Sequence, residues 1–246
     1  MKQSVPANAH NALGQEIGYP VPDWSQRALP DGSSLSGQHV RLERLDAARH
    51  GDDLWAAFDA EPDEADWTYA ATDKPATGAT LDALITGHAA SVDPQFYAII
   101  DLVSGRAVGW ATFMRMDPDN GVIEVGNIRY GRQLQQTRGG TEAMALMMAH
   151  AFDTLGYRRY EWKCHAQNMP SRRAAARYGF RYEGTHRQAM VVKGRNRDTA
   201  WFSILDTEWP LIKHAFATWL DDANFDAAGE QRRSLTDIRD AIRLDF

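Results

Sequence analysis

A turn with two adjacent glycines, between a strand pattern and a helix pattern, constrains the fold of this chain most. The turn runs from Gln135 to Thr141, after the strand-like run 122–130 and before a helical pattern from Met144 to Leu155. Glycine lets the backbone turn tightly, and the first turn of a helix leaves amide N–H groups unpaired. Such a place suits a phosphate, because a helix N-terminus is partly positive and Arg138 adds a full charge. An ordinary strand-to-helix connection is the competing interpretation, since glycine is common at turns.

Composition narrows the class of protein. The 246 residues allow one large domain or a domain with extensions, and 43% hydrophobic with 24% charged residues is typical of a soluble globular protein. A net charge of -6 argues against a nucleic-acid partner. The single cysteine, Cys164, excludes a disulfide framework and a cysteine-based zinc site, and the eight histidines show no metal-ligand spacing. We expect a cytoplasmic protein without a membrane segment or a metal, because neither a long apolar run nor a signal core is visible.

The order of patterns around the turn predicts a mixed α+β fold. Residues 1–36 contain four of the prolines and are interpreted as an N-terminal arm. The domain spans 37–206, and 207–246 forms a C-terminal helical extension. Alternation of polar and apolar residues predicts strands, and apolar spacing of three and four predicts helices. The predicted strands cover 39–45, 96–102, 107–114, 122–130, 159–164, the segment from 180, and the hairpin 190–205. The predicted helices cover 47–58, 77–90, 144–155, 168–178, 208–220 and 235–244.

Three sequence marks carry a resemblance to a known family. The first is Ile123-Glu124-Val125-Gly126 on a strand, the second is the turn running into Thr141-Glu142-Ala143, and the third is the helix from Asn168 that ends at Tyr178-Gly179-Phe180. With these marks, residues 39–205 resemble the GNAT acyl-CoA N-acetyltransferases, most closely the Rim-type, ribosomal-protein-alanine acetyltransferase-like branch. The resemblance implies a mixed, mostly antiparallel sheet of about seven strands flanked by helices, with N- and C-terminal extensions.

The resemblance also implies that the turn binds the pyrophosphate of acetyl-CoA. The family pattern Gln/Arg-x-x-Gly-x-Gly/Ala falls on Gln135, Arg138 and Gly140, so Arg138 occupies a glycine position. Because arginine does not adopt positive φ freely, the loop conformation is open to change, and we expect the Arg138 charge to compensate by pairing with a phosphate. A splay or bulge after Gly126 would expose backbone groups to the pantetheine arm. The implied cofactor-binding residues are Asn127, Ile128, Arg129, Gln135, Gln136, Thr137, Arg138, Gly139, Gly140, Thr141, Asn168, Ser171 and Arg172.

Acetyl transfer to an amine needs a base for the amine and stabilisation of the leaving thiolate. Glu124 is the candidate base, although a strand glutamate also fits a solvent-facing or Arg129-paired role. The family's tyrosine acid is replaced by Ala175, which leaves water or Ser171 to protonate the thiolate. Cys164 is a weaker nucleophile candidate, because it falls on the apolar face of its strand.

The acceptor is expected in the loop 59–73, where Asp66, Trp67 and Tyr69 combine a carboxylate with aromatic faces that suit a cationic amine. An acidic surface loop with buried aromatics fits equally well.

The leading interpretation is an acetyl-CoA-dependent N-acetyltransferase acting on a small-molecule or peptide amine in a ternary complex. The alternative is a non-catalytic acyl-CoA-binding or regulatory protein. A doubly wound nucleotide enzyme is disfavoured by the lack of strand–helix alternation. A monomer and a homodimer both remain open.

Overall fold

The computed structural model describes residues 7–61 and 63–245. Its ten strands, in chain order, are β1 (Ala9–His10), β2 (Glu16–Ile17), β3 (Leu35–Ser36), β4 (Val40–Arg44), β5 (Gln95–Asp101), β6 (Ala107–Asp117), β7 (Val122–Tyr130), β8 (Arg159–His165), β9 (Arg181–Val192) and β10 (Arg195–Leu205). Its α-helices are α1 (Ala47–Asp59), α2 (Gly78–Ala89), α3 (Arg138–Ala149), α4 (Met169–Tyr178), α5 (Trp209–Leu220) and α6 (Leu235–Asp245).

Eight strands form the main sheet, in the order β3-β4-β5-β6-β7-β8-β10-β9, and β1 pairs only with β2. All neighbours in the main sheet are antiparallel except β7 and β8, which are parallel and joined through α3. The mixed α+β architecture predicted from the sequence is therefore confirmed. The short strands β1, β2 and β3 were not predicted, because a strand of two residues is too short to show an alternation of polar and apolar residues.

The helices cover the sheet on both faces. One face of β5 and β6 packs against α1 and α2 through Phe96, Trp110 and Leu54. The opposite face of β7 and β8 packs against α3, α4 and α5. The methionines Met144, Met147 and Met148 of α3 are fully buried in this second core. In the described residues, α1 packs mainly on β6 and α2 on β5, whereas Glu124 lies further along the same side of the sheet, on β7.

Both extensions pack on the domain. In the N-terminal arm, the indole N–H of Trp24 donates to the Asp119 carbonyl at 2.8 Å, and Tyr19 accepts from Arg158 at 3.3 Å. In the C-terminal part, Trp209, Phe216 and the other apolar residues of α5 belong to the main core. None of the helices in the described part of the chain is long and apolar enough to cross a membrane.

Candidate active site

The parallel strands β7 and β8 separate halfway along their length. Their pairing runs from Val122 opposite Arg159 to Val125 opposite Trp162 and stops there. Beyond this point β8 continues to pair with β10 as far as His165 opposite Thr199. The rest of β7 turns away, so a gap opens between the ends of two neighbouring strands. Backbone groups that line such a gap are available to a ligand.

A β-bulge in β7 lies at the start of this gap. Thr112 on β6 pairs with Gly126, and Trp110 pairs with Arg129, so the single residue Ala111 of β6 faces two residues of β7, Asn127 and Ile128. Asn127 and Ile128 have no pairing partner on either side. Asn127 has φ 46°, the left-handed region, which re-aims the amides on both sides of it. The splay and the bulge expected from the family resemblance are both present.

The turn after β7 presents free amides at the N-terminus of α3. The φ of Gln136 is 59°, so the one left-handed residue of the turn is not Arg138 but Gln136. The N-cap Thr137 accepts from the Gly140 amide at 3.1 Å. Within the described residues, the amides of 136–139 donate to no protein acceptor. Four free N–H groups at the positive end of a helix form a cradle suited to a diphosphate.

Arg138 points away from this cradle. Its Nη2 donates to the Leu220 carbonyl at 2.7 Å and to Asp222 Oδ1 at 2.6 Å, and its guanidinium stacks 4.1 Å above the ring centroid of Phe225. From the sequence, we expected this charge to pair with a phosphate. The structure instead uses it to join the N-terminus of α3 to the C-terminal extension. Arg138 has helical backbone as the first residue of α3, so it does not need the left-handed conformation that favours glycine.

Replacing Arg138 by alanine is expected to loosen this junction rather than to remove a phosphate ligand. We expect a loss of about 1–3 kcal/mol in the free energy of unfolding, because the Leu220 carbonyl loses its donor. In calorimetric titration, the affinity of the variant for CoA and its affinity for dephosphorylated pantetheine should fall by the same factor. Asp222→Asn is the control, since the Asp222 side chain is 88% exposed and its ion pair contributes less than about 1 kcal/mol. A loss of affinity for CoA but not for pantetheine would show instead that Arg138 binds a phosphate directly.

The start of α4 lines the other side of the gap. Asn168 caps the helix through Oδ1, which accepts from the Ser171 amide at 3.1 Å. Ser171 Oγ accepts from the Trp162 indole at 3.0 Å and lies beside the Cys164 thiol. Arg172 donates to the Ala166 carbonyl at 3.1 Å, which ties α4 to the end of β8. The cap predicted for Asn168 is therefore present, and Ser171 is the hydroxyl nearest the gap on this helix.

Neither of the two reactive side chains near α4 is poised for chemistry. Cys164 is buried on the apolar face with Tyr160 and Trp162, and burial raises the pKa of its thiol. A thiol with a raised pKa is a poor nucleophile. Tyr178 stacks on Phe216 with ring centroids 6.1 Å apart, and burial raises its pKa as well. Both side chains thus pack in the core, and for Cys164 this agrees with the apolar strand face that the sequence indicated.

Glu124 lies on β7 and is 4% exposed. Burial raises the pKa of its carboxyl, and Lys163 and Arg115 act in the opposite direction. Lys163 Nζ lies 2.9 Å and Arg115 Nε 3.3 Å from Glu124 Oε2, although neither contact has hydrogen-bonding geometry at that oxygen. Lys163 also pairs with Glu161 at 2.7 Å. On β7 this carboxylate therefore lies close to the bulge at Asn127 and Ile128.

The predicted acceptor loop crosses the mouth of the gap. Asp66 accepts from Gln135 of the cradle at 2.9 Å, and its carbonyl accepts from Arg129. Tyr69 donates to the Gln167 carbonyl at 3.2 Å on the far side. The loop therefore brings the predicted substrate and cofactor residues together. Trp67, however, is buried: Arg129 stacks 3.9 Å above its ring, so this indole packs the core and offers no free face to an acceptor.

Sequence reasoning did not find the cations around the candidate base. Lys163 is on β8 and Arg115 on β6, so their contact with Glu124 depends on the register of three strands. The alternation of residues along β8 places Lys163 on the face of the strand that does not carry the apolar residues. This alternation is the only sequence signal that could have pointed to Lys163. Sequence reasoning also missed Lys193, at the tip of the β9–β10 hairpin. Its Nζ binds Asp73 at 2.7 Å and the Trp67 carbonyl at 3.1 Å, which fastens the hairpin to the acceptor loop.

Comparison with known proteins identifies the family. Residues 39–181 match the family model described as Acetyltransferase (GNAT) domain. The chain therefore belongs to the GNAT acetyltransferase family, as its marks at Glu124, the glycine turn and Asn168 predicted. In the described residues, no group of three or more histidine, cysteine, aspartate or glutamate side chains could hold a metal ion.

Solved structures and one curated relative agree with this membership. A GCN5-related N-acetyltransferase from Brucella melitensis is 50% identical, with a TM-score of 0.88 over 89% of this chain and 100% of that one. An uncharacterized N-acetyltransferase of Bacillus licheniformis is 29% identical over 46% of this chain, and the match spans 63% of that relative's length. An acetyltransferase from Salmonella typhimurium that modifies the N-terminal serine of a 50S ribosomal subunit protein shares the fold, with 17% identity, a TM-score of 0.59, and 70% and 99% of the two chains covered.

Proposed function

We propose that this protein is an acetyl-CoA-dependent N-acetyltransferase that acetylates a primary amine by direct attack in a ternary complex. One observation carries the proposal: a buried carboxylate, Glu124, precedes on the same strand a bulge at which Asn127 and Ile128 have no pairing partner on either neighbouring strand. The free amides at the start of α3 provide the matching phosphate site. We assign the transferase to residues 37–206 and a supporting role to the extension 207–246, whose α5 packs in the domain core.

Each chemical requirement of acetyl transfer has a group in this site. Glu124 accepts the proton of the amine, which then attacks the carbonyl carbon of the thioester. The amides of Asn127 and Ile128 stabilise the oxygen as it becomes negative. The Ser171 hydroxyl, which receives the Trp162 indole N–H, can donate its own hydrogen to the departing thiolate. No covalent enzyme intermediate is needed, in keeping with the buried, high-pKa thiol of Cys164.

A panel of primary amines, followed by release of free thiol from acetyl-CoA, tests the proposal. We expect thiol release that depends on the amine, together with calorimetric binding of CoA to the enzyme. The panel should include small amines and short peptides with free N-termini, since both acceptor classes fit the same chemistry. Tight CoA binding without thiol release for any amine would favour the non-catalytic acyl-CoA-binding alternative, for which Ala175 at the family's acid position is the motivating feature.

A further inference from the structure

Arg197 on β10 carries a partly buried charge without a partner. Its Nε is fully buried and has no hydrogen-bond partner, and among the described residues its guanidinium forms no ion pair. Burial lowers the pKa of this side chain. A buried N–H donor without a partner is costly, so the unpaired Nε of Arg197 points to a ligand that is not part of the chain.

The position of Arg197 is beside the reacting centre. Pairing of β10 with β8 ends at Thr199 opposite His165, and a β-bulge follows between Thr199 and Arg197. The bulge re-aims the strand past the end of β8. Arg197 lies close enough to Glu124 and to the Cys164 thiol for both to raise its pKa. The guanidinium thus lies near the candidate base on one side and near the Ser171 end of the gap on the other.

The carboxylates near Arg197 are engaged elsewhere. Asp198 accepts from the Gln188 amide at 2.7 Å and from the Asn196 side chain at 3.0 Å, along the hairpin. Asp73 pairs with Lys193, and Asp66 is held by Gln135. Glu124 and Glu161 already face Lys163 and Arg115. Arg197 therefore adds a positive charge that the site does not balance.

The pyrophosphate of CoA does not account for this cation. Its cradle is the set of free amides at the start of α3, a helix that packs on the sheet face opposite Glu124. The thioester end of the donor carries no anionic group. An anion at Arg197 therefore has to come from the second substrate. This differs from the sequence-based expectation of an acidic acceptor loop that attracts a cation.

We infer that the acceptor carries an anionic group, a carboxylate or a phosphate, close to its primary amine, and that Arg197 binds this group. The inference rests on the proposed function and specifies its substrate class. Arginine suits both anions, because its planar donors bind either group in a bidentate manner. The anion would hold the acceptor with its amine directed at Glu124.

Matched pairs of acceptors test this inference with the wild-type enzyme and acetyl-CoA. One pair is L-alanine and L-alaninamide, which tests a carboxylate; the other is phosphoethanolamine and ethanolamine, which tests a phosphate. With rates expressed per free amine, we expect kcat/KM to favour the anionic member of at least one pair by about tenfold or more. The pair with the larger ratio identifies the anion.

Variants of Arg197 then show whether this residue sets the ratio. Arg197→Gln should abolish the preference through a higher KM for the anionic member, and Arg197→Lys should retain part of it. Arg195→Gln, at an exposed position on the same strand, should keep the wild-type ratio. Equal kcat/KM within both pairs, or an equal loss for both members in Arg197→Gln, would overturn the inference but leave the transferase assignment intact. Absence of thiol release for all four amines and for the wider panel would overturn both.

Discussion

Glu124→Gln lowers kcat by at least about a hundredfold, while the affinity for CoA stays within about twofold of wild type. The expected size is that of removing a positioned general base. Glutamine keeps the shape of the side chain but cannot accept the proton of the attacking amine. CoA binding should persist, because the amides of 136–139 and the bulge at Asn127 do not involve this carboxyl. Thiol-release kinetics and calorimetric titration with CoA give the two measurements.

The pH profile separates a catalytic from a structural loss. The carboxyl must be ionised to act, so kcat rises as the pH passes through the pKa of Glu124, which burial holds above its usual value. Its charged neighbours are Arg115 on β6, Glu161 and Lys163 on β8, and Arg197 on β10. The acid limb should vanish in Glu124→Gln and persist in Glu183→Gln, a control carboxylate that pairs with Arg159. Wild-type turnover in Glu124→Gln would remove this residue as the base.

The parts of the fold that were predictable from sequence are those whose signals are local. The strand β7 has the predicted ends, 122 and 130, because a glycine lies just beyond each end. The helix α4 starts where predicted, since Asn168 caps it and Pro170 fits the first turn. Its end at Gly179 has φ 99°, which favours glycine. In these places propensity, capping and packing agree.

The candidate site was predictable only where a motif fixed both the residue and its neighbours. The cradle and the bulge follow from a short stretch of β7 and its turn. The direction of the Arg138 side chain could not be predicted from the sequence, because its partners are more than 80 residues away in the C-terminal extension. The burial of Trp67 under Arg129 likewise depends on how a loop crosses a distant strand. Long-range side-chain contacts of this kind have no period in the sequence.

Lys163→Met is expected to destabilise the protein by about 3–5 kcal/mol and to move the acid limb of kcat to higher pH. The Lys163 side chain is 7% exposed, and its Nζ lies within 2.9 Å of Glu124 and 2.7 Å of Glu161, so its removal leaves two buried carboxylates short of a countercharge. Lys163 lowers the pKa of Glu124, so without it that pKa rises further above its usual value. Stability then declines as the pH rises through that pKa, because the ionised form is the one that lacks its partner.

The controls for Lys163→Met test charge rather than size. Lys163→Arg keeps the charge and should retain most of the stability, whereas Lys213→Met removes an exposed ion pair with Asp153 and should cost less than about 1 kcal/mol. Chemical denaturation at two pH values measures each cost. In the double variant Glu124→Gln with Lys163→Met, one unpaired carboxylate disappears, so the combined loss should be smaller than the sum of the single losses. Strict additivity would show that Lys163 stabilises the sheet by packing on Trp201, 3.7 Å from its ring centroid, and not by balancing the charge of the candidate base.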